Sequence, residues 1–234
     1  NFLFVFMVGY SAFLFGSTRE KIIDGQPVRR AGTLLLTTYR GELVALMGNN
    51  AFSMPYIGIP SGQTDASDPD AIAAAYRESW EETGGIYSPL RHPSFKRIFE
   101  GPDRKKLPYL VSDRLLTLFA YIKDLPLGEF DKSIRKARND MTLPHCQREI
   151  TDGYYVRLVD LYNLMDRLEG ARLRYNPATH QLEAWDSSTS CYRRIRQNGP
   201  LYRIPAYDAK GARHDLQFSI WNSYSWLRQR DAFM

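Results

Sequence analysis

Residues 76–85 run YRESWEETGG, with Arg77, Glu78, Glu81 and Glu82 inside six positions and a glycine pair closing the run. On a helix, side chains three and four residues apart share one side, so the three glutamates face the same way. Carboxylates gathered like this repel one another unless a cation sits among them. Oxygen-only ligands suit Mg²⁺ or Mn²⁺ better than zinc. Arg77 stands beside them, placed to hold one carboxylate through a charge-assisted bond. The ordinary alternative is a solvated charged helix face, and the surrounding elements have to decide between the two.

Those elements have clear punctuation. In SDPDAIAAAYRESWEETGG, Ser67 or Asp68 can cap a helix, Pro69 suits its first turn, Asp70 complements the dipole, and Gly84 is a natural stop. Upstream, RRAGTLLLTTYRGELVALMG predicts two strands joined at Tyr39-Arg40-Gly41, and MPYIGIPSGQ a loop holding one short strand. Downstream, SFKRIFEG and RLLTLFAYIKDL predict strands separated by the basic loop PDRKKLPYLVSD. The polar stretch LGEFDKSIRKARNDMTLPHCQRE predicts a loop with a helical turn, DGYYVRL a strand, and LVDLYNLMDRLEG a helix ending at Gly170. A hairpin is expected in RYNPATHQLEAW. A terminal helix is expected around HDLQFSIWNSYSWLRQR, where Leu216, Ile220, Tyr224 and Leu227 recur at helical spacing. Strands, helix, strands, helix is the order of an α/β (α+β) fold.

Composition narrows the class. The chain has 234 residues, 44% hydrophobic and 24% charged, enough for one sizeable core and too apolar for disorder. Two cysteines, Cys146 and Cys191, exclude a disulfide scaffold and show no zinc spacing, which points to free thiols in the cytoplasm or another reducing compartment. His92, His145, His180 and His214 show no ligand spacing either. The net charge of +5 is uneven: residues 171–234 carry ten Lys/Arg against five Asp/Glu, so the basic excess belongs to that segment and suits a polyanionic partner. Residues 1–18, NFLFVFMVGYSAFLFGST, carry no charge. They predict either two buried strands joined near VGYS or a membrane or targeting segment.

Arg77-Glu78-x-x-Glu81-Glu82-x-Gly84, together with Gly62 in the upstream IPSGQ, resembles the Nudix box, the loop–helix–loop signature of the Nudix hydrolases. The match departs from the box in three places. The first Glu of the box is missing, with Asp68 near its position and one extra residue before Arg77. Ser79 and Gly85 stand where aliphatic residues are usual. In the family that first Glu is mainly a structural partner, a part Asp68 can take. The resemblance extends loosely over residues 28–170 and implies an α/β/α sandwich with a mixed sheet. Residues 1–27 are then an N-terminal apolar extension, and 171–234 a basic, aromatic extension packed on the domain.

The resemblance further implies Mg²⁺- or Mn²⁺-dependent hydrolysis of a diphosphate linkage by in-line attack of water. The substrate would be a nucleoside triphosphate, a nucleotide sugar, a dinucleoside polyphosphate or a capped RNA 5′ end. Glu78, Glu81 and Glu82 would ligate metal, with the Gly62 carbonyl as a further ligand, and Arg77 would support them. Glu149 or Asp152 is a candidate later carboxylate, and one of the carboxylates would deprotonate the water. Arg104, Lys105 and Lys106 are candidate phosphate contacts. So are Arg193 and Arg194 in CYRRIRQNGPLYRIPAY, where arginines interleave with tyrosines in a pattern that suits phosphate contact and base stacking on RNA. The alternative is a Nudix-fold module that binds RNA or protein in a larger assembly without catalysis.

Overall fold

The computed structural model describes residues 19–50, 56–84, 106–123, 125, 127–196 and 199–228. The expected strand pair or membrane segment at 1–18, the strand expected at SFKRIFEG, and Arg104 and Lys105 lie outside the described residues.

A small hairpin, β1 (Lys21–Ile23) and β2 (Gln26–Val28), leads into two long strands, β3 (Arg30–Tyr39) and β4 (Glu42–Asn50), joined at Arg40-Gly41. Two short strands follow, β5 (Tyr56–Gly58) and β6 (Ser61–Gln63), and then helix α1 (Ala71–Glu82). After these come β7 (Tyr109–Ser112), β8 (Leu115–Tyr121), α2 (Leu127–Asn139), β9 (Ile150–Arg157) and α3 (Leu158–Gly170). The remaining elements are β10 (Arg174–Asn176), β11 (Gln181–Asp186), β12 (Cys191–Arg194), β13 (Arg203–Tyr207), β14 (Arg213–Gln217) and α4 (Ile220–Leu227).

The main sheet runs β14-β13-β9-β4-β3-β8-β7, with β5 added to β4 and β6 to β3. It is mixed: β3 and β8 are parallel, and the other neighbours are antiparallel. Alternate residues of the central strands feed two cores. Leu35 and Leu46 pack with Ala71, Ala74 and Ala75 of α1 and Phe130 and Ile134 of α2 on one face. Leu34, Ala45 and Met47 pack with Leu161, Leu164 and Leu168 of α3 and Trp226 of α4 on the other. Helices on both faces of a mixed sheet make the α/β/α sandwich that the resemblance implied.

Three local expectations are corrected. The stretch 127–139 is a three-turn helix rather than a loop with one helical turn, because Phe130, Ile134 and Ala137 form a buried stripe on an otherwise charged segment. Tyr109–Ser112, placed in a basic loop, is a strand that turns into β8 through Asp113 (φ 48°) and Arg114 (φ 64°). That tight turn carries neither glycine nor asparagine, so the usual signal was absent. The terminal helix begins only at Ile220. Its expected first half is strand β14, and Leu216 belongs to that strand.

The C-terminal segment divides. β10–β12 form a separate three-stranded sheet, whereas β13 pairs with β9 and carries β14 on its outer side. No helix among the described residues is long and apolar enough to cross a membrane.

Candidate active site

Asp70, rather than Ser67 or Asp68, caps α1, its Oδ1 accepting from Ala73 N at 2.8 Å. At the other end Gly84 adopts φ 62° and donates to Glu81 O at 3.2 Å, the left-handed stop that glycine favours. Ser79, standing where an aliphatic residue was expected, is fully buried and returns its hydroxyl to Ala75 O at 2.7 Å. The helix therefore keeps its inner face without leaving an unpaired polar group.

Asp68 is free of the capping task because it holds Arg77. Arg77 Nε donates to Asp68 Oδ1 at 3.0 Å and Nη2 to Asp68 Oδ2 at 3.1 Å, a two-pronged pair against a side chain only 5% exposed. Asp65 N donates to the same Oδ2 at 2.7 Å, and Arg77 Nη2 also donates to Gln63 O at 2.8 Å. The loop between β6 and α1 is thus pinned to the helix. Arg77 Nη1 then reaches Glu78 Oε1 at 2.8 Å and Glu81 Oε2 at 3.0 Å. Burial works against the cation, but Asp68, Glu78 and Glu81 together lift its pKa above the usual arginine range.

Gly62 lies against the Glu78 carboxyl so closely that a Cβ there would displace that carboxyl. Ser61 N donates to Glu82 Oε2 at 2.7 Å. The end of β6 and the last turns of α1 therefore enclose two carboxyls from opposite sides. Burial pushes Glu78 up to about 7, with Glu81 and Asp68 adding to the rise and Arg77 opposing it. Burial, then the charges of Glu78 and Glu149, hold Glu82 well above the carboxylate range, against the opposing Ser61 N–H and Arg30. Glu81 is raised by burial and restrained by Arg77.

Glu149 follows a short helical turn, His145–Arg148, and receives Asn50 Nδ2 at 3.4 Å, with His145 Nδ1 3.3 Å away. Asp152, the other later carboxylate, is paired instead with Arg135 at 3.0 Å. Lys106 is exposed just before β7 and is not among the main influences on the glutamates. Arg193 and Arg194 lie on β12 in the separate sheet, where Arg193 pairs with Asp186 at 3.0 Å.

The expected single-sided gathering of Glu78, Glu81 and Glu82 is only partly formed. Glu78 and Glu81 turn to Arg77, and no group of three or more His, Cys, Asp or Glu among the described residues makes a ready metal cage. The donor chemistry nonetheless fits a hard divalent cation. Glu82 is buried in the field of Glu78 and Glu149, a strain that a cation would relieve.

One contribution was missed from the sequence. Ser219 N donates to Ile57 O at 2.9 Å, and Ile57 bridges Phe218, so α4 starts beside β5 and brings Asn222 next to Gly58. The sequence shows Ser219, Asn222, Ser223 and Ser225 as polar residues among large apolar ones, and all four are buried, but it does not show what they meet.

No family model matches the sequence, and no curated protein matches it. Solved structures similar to it include an Ap4A hydrolase of C. elegans in a binary complex, at 15% identity over 61% of this chain and 89% of that one, TM-score 0.34. The Nudix domain of Shewanella oneidensis NrtR with ADP ribose is similar at 13% identity over 58% and 76%, TM-score 0.35. A MutT/nudix family protein of Enterococcus faecalis is similar at 12% identity over 90% and 65%, TM-score 0.38. The functional reading therefore rests on the chain's own residues.

Proposed function

We propose that this chain is a Nudix-type hydrolase that cleaves a diphosphate linkage in a nucleotide derivative. The observation that carries the reading is the buried pair Glu78 and Glu82, the second in the field of the first, beside Gly62 and Ser61 and with Arg77 held on Asp68. A purely structural helix gains nothing from burying like charges. Glu78, Glu81, Glu82 and the Gly62 carbonyl would hold Mg²⁺ or Mn²⁺, with Glu149 nearby. Bound there, such an ion would neutralise the diphosphate and align attacking and leaving oxygens. Arg77 sets the rotamers of Glu78 and Glu81. Glu82, which lies in the field of Glu149, or Glu149 itself takes the proton of the attacking water.

The test is incubation with Mg²⁺ and a panel of nucleoside triphosphate, nucleotide sugar, dinucleoside polyphosphate and capped RNA, beside Glu82→Gln. The wild type is expected to release a phosphate-containing product from at least one of them, and Glu82→Gln to lose roughly 100-fold or more of that rate. An inactive wild type, or a variant of equal activity, refutes the reading.

A second reading, an RNA-binding module, has its own observation. The Arg174 guanidinium lies 3.7 Å from the Tyr192 ring centre, and Trp185 meets Tyr192 edge-on at 5.2 Å on the face shared with Arg194. Arginine and aromatic side chains on one sheet face suit stacking of unpaired bases. Salt-dependent RNA binding that persists in Glu82→Gln and is lost on Tyr192→Ala is its expected signature.

A further inference from the structure

Helix α4 brings Asn222 into a recess that Glu82 also lines. Asn222 is 2% exposed, and its Oδ1 is buried without a hydrogen-bond donor among the described residues. It lines a recess of about 20 Å³ together with Arg30, Asn50, Tyr56, Ser61 and Glu82. That volume admits one water-sized group. A buried amide oxygen left unpaired is costly, so the recess is built for an occupant that donates to it.

The other walls restrict the occupant. Arg30 lines the recess beside Glu82, and the Tyr56 phenol, which also lines it, is a further donor. An ammonium group would meet Arg30. A carbonyl or phosphoryl oxygen would leave Asn222 Oδ1 facing another acceptor. A hydroxyl donates to Asn222 and accepts from Arg30 or Tyr56, and it has the right size. The recess adjoins Glu82, where the diphosphate is proposed to bind, and the hydroxyls next to a nucleotide's phosphates are those of its sugar.

We propose that Asn222 is a specificity-determining residue that accepts a hydrogen bond from a ribose hydroxyl of the nucleotide. The assignment rests on the hydrolase reading for the position of the diphosphate. It extends that reading by naming the substrate feature recognised and by giving the C-terminal helix a part in the site.

Calorimetric titration with ADP, 2′-deoxy-ADP and 3′-deoxy-ADP, in Mg²⁺ and in EDTA, tests it without catalysis. At least one deoxy analogue is expected to bind the wild type tenfold or more weakly than ADP. Asn222→Leu, close in volume, is expected to weaken ADP to the level of that analogue and to leave the analogue unchanged. Asn222→Ser serves in its place should the leucine variant fail to fold, and the wild-type comparison needs no variant at all. Equal binding of all three nucleotides, binding of none, or discrimination that survives in Asn222→Leu would overturn the assignment and leave the recess to an ordered water. Hydrolysis without ribose discrimination sinks this inference alone, whereas ribose discrimination without hydrolysis sinks only the hydrolase reading.

Discussion

Asp68 shows how a loop carboxylate fixes a helix arginine. It meets both prongs of Arg77 while Asp65 N donates to the same carboxylate and Gln63 O accepts from the same guanidinium. Asp68→Ala leaves Arg77 half-buried with its best partner gone. We expect a loss of about 3 kcal/mol in chemical denaturation, toward the lower end of what breaking a buried pair costs, since Arg77 is 28% exposed. Activity should fall with it, as Glu78 and Glu81 lose their fixed partner. A variant as stable and as active as the wild type would show that Arg77 is held by other means.

The glutamates predict a second residue-scale behaviour. Glu78 titrates at about 7 in the folded chain against an ordinary 4.5. Between those values the folded state binds more protons than the unfolded one, so this group's contribution to stability falls as pH rises through the window and is constant above it. The shift corresponds to about 3 kcal/mol between pH 4.5 and 7. In EDTA, Glu78→Gln should therefore stabilise the protein at pH 8 and leave it nearly unchanged at pH 4.5. Mg²⁺ should raise Tm at pH 8 and hardly at all at pH 5, where protons occupy the carboxyls. Equal Mg²⁺ effects at both pH values would contradict the assignment of these residues.

At the scale of elements, α1 and the β3–β4 hairpin were legible because their signals are local: capping acids, a glycine stop, and strand-forming runs around Arg40-Gly41. What was not legible depends on packing partners distant in sequence. Helix α2 appears polar, yet Phe130 lies under β9 against Gly153, where a Cβ would collide with its ring. Phe130→Ala should cost about 3–5 kcal/mol, measured by denaturant unfolding. A loss below 1 kcal/mol would mean that α2 is not anchored through this side chain. Asn222 was hidden for the same reason. Its buried acceptor acquires meaning only when Phe218 and Ser219 join Ile57, and no spacing within residues 213–228 announces that partner.

For the molecule as a whole, the resemblance over residues 28–170 left 171–234 as an extension packed on the domain. The main sheet instead takes two of its strands from that segment, and the second core takes Tyr202, Phe218 and Trp226. Removing residues 197–234 should therefore abolish cooperative unfolding rather than trim a dispensable tail, and loss of near-ultraviolet circular dichroism would report it. A truncated chain that still unfolds cooperatively would show that residues 19–196 form a self-sufficient core.

The pairing of β13 with β9 also has a consequence in time. Until residues 203–207 have been synthesised, β9 has nothing to pair with on that side, and its backbone groups face outward. At ordinary translation speed, the gap of roughly 50 residues lasts about 3–10 s. During that interval Tyr155, whose partner across the strands is Tyr207, stands at an open border of the nascent sheet.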